Sequence, residues 1–107
     1  MKGINNKILE CDIYETANIG GHQRCVGLKE TRRGLYTLIV TDNKRLTCRL
    51  VWDYDLYKHP VGYSYKLNKP LDMKKHFGLE FRMKVMIQKY RRESQFAGMP
   101  KFRKKVA

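Results

Sequence analysis

Between Arg45 and Asp53 the chain alternates residue by residue. Leu46, Cys48, Leu50 and Trp52 face one way and Arg45, Thr47, Arg49 and Asp53 the other, with Val51 as the exception. A period of two marks a half-buried strand, because successive side chains in extended backbone leave opposite faces. Just before it, Asp42-Asn43 supplies two residues that tolerate positive φ, as a two-residue hairpin loop requires. Leu35 to Thr41, before that loop, is apolar on both faces, which places it in the middle of a sheet. The rest of the chain has to fold around this hairpin.

Strand signals run through most of the first 67 residues. Lys7 to Tyr14 sets Leu9, Cys11 and Ile13 against Glu10 and Asp12, and Asn18-Ile19-Gly20-Gly21 breaks the pattern. Gln23 to Glu30 turns Val26 and Leu28 inward, and Thr31-Arg32-Arg33-Gly34 reads as a turn. After a connection from Asp53 to Pro60, Val61 to Leu67 is a fifth strand with Val61, Tyr63, Tyr65 and Leu67 on the apolar side. Pro70 suits a first helical turn, Asp72 the positive end of its dipole and Gly78 a stop, so a short helix is predicted near 70–77.

Leu79 to Tyr90 fits two templates. A helix groups Leu79, Met83, Met86, Ile87 and Tyr90 but leaves Phe81 and Val85 outside the stripe. A strand gathers Leu79, Phe81, Met83, Val85 and Ile87 on one face, and this reading is favoured over a continuous helix from Pro70 to Phe96, which Gly78 weakens. The predicted fold is mainly β within the α+β class. It is a small antiparallel sheet or partly open barrel of about six strands, with one short helix and a basic C-terminal arm. Residues 1–92 form one β-rich domain and 93–107 a flexible basic arm.

A chain of 107 residues builds one core, and with 42% hydrophobic and 11% aromatic residues it is not a disordered polymer. No apolar run could span a bilayer, and Met1 to Asn6 has no hydrophobic signal core, so a soluble cytoplasmic protein is expected. Cys11, Cys25 and Cys48 are odd in number and widely spaced, a poor disulfide or zinc framework. Each lies in a predicted strand, where a thiol packs as a small hydrophobe.

Function is first visible in the charge. Residues 66–107 carry nine Lys and four Arg against two Glu and one Asp, so a net +10 of the chain's +13 lies there. A polyanion is the natural partner for such charge, since every neutralised phosphate releases a condensed counterion. In the strand reading Arg45, Arg49, Lys66, Arg82 and Lys84 point outward from three strands onto one surface. Lys89, Arg91, Arg92, Lys101, Arg103, Lys104 and Lys105 extend it, and Tyr90 and Phe102 among them are the rings placed to stack on bases. Tyr36, Tyr54 and Tyr57 are weaker candidates, while Trp52, Tyr63 and Tyr65 belong to the core face. Removing Met99 to Ala107 is expected to flatten the salt dependence of binding.

Other chemistry is thinly signalled. Asp53, Asp55 and His59 could offer metal ligands, but their spacing matches no ligand pattern and turn-capping explains the carboxylates. Gly20-Gly21-His22 with Arg24 could cradle an anion, yet Gly-Gly between strands is first a turn. His22 and His59 are the candidate acid–base groups of a small metal-independent nuclease, and His76 suits the end of the short helix. Nothing in the spacing calls for a metal or cofactor. The leading expectation is a non-enzymatic RNA- or DNA-binding accessory protein. Its rivals are an interaction protein or inhibitor that docks on an acidic protein surface, and a nuclease using His with Arg or Lys. The small, basic, β-rich outline resembles compact accessory proteins of phages and mobile elements and OB- or SH3-like modules, in style alone.

Overall fold

The computed structural model describes residues 5–96, with side chains as far as Ser94. Six strands pair strictly with their sequence neighbours, β1 (Ile13–Ile19), β2 (His22–Arg32), β3 (Leu35–Asp42), β4 (Arg45–Asp53), β5 (Val61–Ser64) and β6 (Lys69–Pro70). They make one open antiparallel sheet in the order β1-β2-β3-β4-β5-β6. A four-residue helix, α1 (Asn6–Leu9), precedes the sheet, and a 20-residue helix, α2 (Phe77–Phe96), follows it. The α+β class and the six-stranded antiparallel sheet are as the sequence indicates. No helix among the described residues is long and apolar enough to cross a membrane.

One face of the sheet meets α2. Ala17, Val26, Leu28, Tyr36, Leu38, Val40, Cys48, Leu50 and Trp52 pack there against Leu79, Met83, Met86, Ile87 and Tyr90. Burying so many large apolar side chains, each worth roughly 1.5–3 kcal/mol relative to exposure, is what holds helix to sheet. β3 lies inside the sheet and is buried on both faces, as its two-sided apolar pattern requires. The second face is partly covered by α1. Ile8 is fully buried over Gly27, and a Cβ on Gly27 would meet the Cys11 Sγ at 2.6 Å, so only glycine lets this segment lie so close.

Several local expectations are corrected. Lys7–Tyr14 is not a strand: Asn5 caps α1 by accepting from the Lys7 amide at 2.7 Å, and extended backbone begins only at Ile13. Glu15 hid β1, since a carboxylate on the core face interrupts Ile13 and Ala17; it is held there by Arg82 at 3.0 Å and Lys89 at 3.9 Å. The β1–β2 turn is Gly20-Gly21 alone, with φ of 62° and 83° and open space around both, so backbone freedom accounts for both glycines. The hairpin loop of β3–β4 is shifted by one residue, to Asn43 and Lys44. Pro70 ends the edge strand β6, and 70–77 holds only a 3-10 turn, Met73–Lys75, capped by Asp72.

The two largest corrections concern faces. Leu79–Tyr90 is helix, not strand, because α2 is apolar on two opposite sides: Leu79, Met83, Met86, Ile87 and Tyr90 are buried, whereas Phe77, Phe81 and Val85 are exposed. β5 is shorter than expected, and it turns Gly62 and Ser64 inward, in register with Leu50 and Cys48. The space over Gly62 is taken by Leu71 and Met73 on the way to α2, the former only 2.9 Å from where a Cβ would stand. Val61, Tyr63, Tyr65 and Leu67 are therefore displaced to the outside. The helix continues through Phe96, into the segment expected as an arm, and residues 97–107 lie outside those described.

Candidate nucleic-acid interface

The corner of the sheet where β3, β4 and β5 meet is shaped by one bulge. Val40 pairs with Cys48 and Thr41 with Leu46, so Thr47 is an extra residue in β4. It also reverses the alternation. Arg45 pairs with Asp42, while Arg49 keeps the other face in register with Ile39 and Tyr63. The Thr47 carbonyl accepts the amides of Tyr65 at 2.8 Å and Lys66 at 3.3 Å, and the Thr47 hydroxyl donates to the Val40 carbonyl at 3.0 Å. These bonds draw the turn after β5 against β4. Asp42, Asn43, Arg45, Leu46, Thr47, Tyr65 and Lys66 then line a groove of about 660 Å³.

Two aromatic rings border it. Tyr65 meets Tyr63 edge-on, with centroids 5.4 Å apart and planes at 66°. The Tyr63 hydroxyl donates to Asn68 Oδ1 at 2.6 Å, and Asn68 takes a φ of 56° to close the turn into β6. Both rings remain more than one-third exposed, at 36% and 38%. The neighbouring strand ends and turns carry exposed cations: Lys66 and Arg45 share the groove with Tyr65, Arg49 is in register with Tyr63, and Lys44 and Lys69 lie in the adjoining turn and strand. Among the described residues none of these five has a carboxylate within 4 Å. Asp42, the carboxylate in the groove wall, faces Arg24 at 3.7 Å. The groove thus sets two exposed cations without a carboxylate partner, Arg45 and Lys66, beside the exposed Tyr65 ring, an arrangement that suits phosphate oxygens and the π-face of a base.

Arg45 and Lys66 line the groove together, but Arg49, expected on the same surface as Arg45, is left by the bulge on the opposite face of β4, in register with Tyr63. Arg82 and Lys84 do not join them, because α2 carries both. Arg82 and Lys89 hold Glu15, which ties the helix to the edge strand. Arg91 is a structural clamp. Its Nε donates to the Tyr36 hydroxyl at 2.9 Å, its two terminal nitrogens donate to Asp55 at 3.3 and 3.0 Å, and its guanidinium lies 5.0 Å from the Tyr54 ring centroid. Burial works against the Arg91 charge, yet the bonds to Tyr36 and Asp55 more than offset it and raise its pKa. Lys84 and Arg92 are exposed on α2. Tyr90 cannot stack: it is 9% exposed, with its hydroxyl donating to Glu30 at 3.2 Å. Phe102, Lys101, Arg103, Lys104 and Lys105 lie outside the described residues.

The remaining candidates are dispersed. Asp53 pairs with Arg32 at 3.6 Å, Asp55 with Arg91, and His59 with Glu80 at 2.7 Å, so the three residues of that cluster turn to separate partners. His22 opens β2 beside the Gly20-Gly21 turn, and His76 ends the 3-10 turn. Tyr36 is buried, Tyr54 half-buried and Tyr57 exposed. Cys48 is buried while Cys11 and Cys25 are half-buried, all three as free thiols, and Cys11 lies after α1 rather than in a strand. Sequence reasoning missed Lys44, Lys69 and the outward Tyr63–Tyr65 pair. The small residues Gly62 and Ser64 between the aromatics were the available signal, since a strand presents its small side wherever another segment must cross it. No family model matches the chain, and no curated protein or solved structure matches it either.

Proposed function

We propose that the chain is a non-enzymatic nucleic-acid-binding module that holds a phosphate backbone in the groove between the β3–β4 turn and the β5–β6 turn. Arg45 and Lys66 line the groove, Lys44 and Lys69 stand in the adjoining turn and strand, Tyr65 offers ring surface to a base, and Arg49 with Tyr63 adds charge and ring surface on the other face of β4. The observation that carries this reading is a groove in which Arg45 and Lys66, neither paired with a carboxylate, stand beside the exposed Tyr65 ring. Arg82, Lys89 and Arg91 are engaged by carboxylates of the fold, whereas the five cations of the corner are not. Charges already paired within a fold have little to gain from phosphate; unpaired ones gain by releasing counterions.

The test is a salt titration of binding to RNA and DNA oligonucleotides by fluorescence anisotropy. The variant Arg45→Gln/Lys66→Gln is expected to lower the slope of log affinity against log salt by about 1.5, near the 0.7–0.9 per phosphate contact typical of nucleic acids. Arg82→Gln is expected to leave the slope nearly unchanged. Equal effects of the two variants, or no binding at low ionic strength, defeat the assignment.

A further inference from the structure

We propose that the outward face of α2 is a second docking surface, for an acidic amphipathic helix of a protein partner, independent of the groove around Tyr65 and Lys66. Phe77, Phe81 and Val85 stand four residues apart, so they form one stripe over two turns, about 12 Å long. They are 73%, 65% and 36% exposed. Among the described residues the core does not include them, because it is built from the opposite side of the same helix. Adjacent exposed phenylalanines on one stripe of a small domain mark a surface meant to be covered. At the N-terminal end of the stripe, Phe77 also borders a hollow of about 450 Å³ with His59, Met73 and Lys74, which can receive one apolar side chain of the partner.

Charge selects the occupant. Lys74, Lys75 and Lys84 rim the stripe, and Arg92 continues the same helix face beyond Gln88, all of them exposed. Two carboxylates also line the hollow beside Phe77: Glu80 is bonded to His59, and Asp72 accepts the Lys74 amide, so the four cations outnumber them. A second copy of this helix would set Lys84 and Arg92 against like charges, and the chain's own Lys101, Arg103, Lys104 and Lys105 are equally basic. A bilayer surface takes up helices with a broad apolar face, and the broad face of α2 is already spent on the sheet. What remains is a narrow apolar seam between cations. Its complement is a helix with apolar residues at i, i+3, i+4 and i+7 between Asp and Glu.

The probe is a fluorescein-labelled 18-residue peptide of that design, titrated with the full chain at physiological salt. A second peptide of identical composition, with its apolar positions scattered, serves as the control. The patterned peptide is expected to bind at least about tenfold more tightly than the control, and Phe77→Ser/Phe81→Ser to remove at least about tenfold of that affinity. The thermal midpoint of this variant should match the parent, because both rings are exposed. Amide shift changes on adding the peptide to the parent chain should fall on residues 72–92 and His59 and spare the groove residues 42–47 and 63–69, an independent reading should the variant not fold. Equal binding of the two peptides reduces the surface to charge alone and overturns the proposal. So does displacement of the peptide by an oligonucleotide, capture of the chain by phosphatidylserine vesicles that the variant loses, or a concentration-dependent dimer that the variant dissolves.

Discussion

Arg91 stacks against Tyr36 and Tyr54 while its fork grips Asp55, and the Tyr36 ring in turn meets Tyr90 edge-on at 6.2 Å. Hydroxyl, guanidinium and carboxylate are satisfied by one another at the edge of the core, so polar atoms enter it at little cost. The same burial sets an alkaline limit on the fold. Burial pushes the Cys11 thiol from 9.0 up to about 11, helped by Asp12 and Glu10 and opposed by Lys29. Burial likewise raises Cys48 and Tyr36, the latter against the bond from Arg91, and it raises Tyr90 with the charges of Asp12 and Glu30 adding to it. The folded state therefore holds protons that the unfolded chain releases first. The stability these groups contribute is complete below about pH 9, the unfolded thiol value, and is lost as pH rises toward and through their folded values. Urea midpoints measured from pH 7 to 11 should be level and then fall beyond about pH 9; a flat profile to pH 11 contradicts the assignment.

At the scale of elements, the helix α2 explains both what the sequence reveals and what it conceals. Met83 is fully buried and Val85, two residues on, is 36% exposed. Met83→Ala is expected to cost about 2–5 kcal/mol in urea unfolding, and Val85→Ala less than about 0.5 kcal/mol. If Leu79–Tyr90 were a strand, both would share one face and both would be costly. Strands β2, β3 and β4 were legible because their middles bury alternate apolar residues, Val26 and Leu28, Tyr36, Leu38 and Val40, and Cys48, Leu50 and Trp52, although the period fails at the bulge beside Leu46. The helix was not, because Phe81 and Val85 fill the odd positions between Leu79, Met83 and Ile87 and imitate alternation. Those apolar residues answer to a surface, not to the core, and periodicity cannot tell the two apart. β1 and β5 were misread for related reasons: Glu15 on a core face is intelligible only once Arg82 is seen beside it, and Gly62 only once Leu71 crosses over it. The candidate site was half legible. The exposure of Arg45, Arg49 and Lys66 follows from local pattern, but the bulge at Thr47, which leaves no mark in composition, sends Arg45 to the groove with Tyr65 and Lys66 and leaves Arg49 with Tyr63 on the other face.

For the whole molecule, a net charge of +13 on 107 residues has to be carried by the folded state. Glu15, Asp42, Asp53, Asp55 and Glu80 each engage a basic side chain, so the chain spends acidic residues on holding its elements together. The excess is left outside, at the sheet corner and along α2. Repulsion among those charges should outweigh the exposed pairs, each worth about 0–1 kcal/mol, in the response to salt. Raising sodium chloride from 20 to 300 mM at pH 7 is accordingly expected to raise the thermal midpoint by a few degrees, roughly what 1 kcal/mol shifts in a domain of this size. A fall in the midpoint shows the ion pairs to dominate instead.

Because each strand pairs only with its neighbour in sequence, the sheet can assemble in the order in which a ribosome delivers it. Nearly all its loop closures are short, which favours fast folding. The lid arrives last. Until Leu79–Tyr90 has emerged, Leu28, Leu38, Leu50 and Trp52 stand on an apolar sheet face that the helix does not yet cover. A polypeptide stalled in that interval has its strands but no closed core, and it is the species a chaperone must shield.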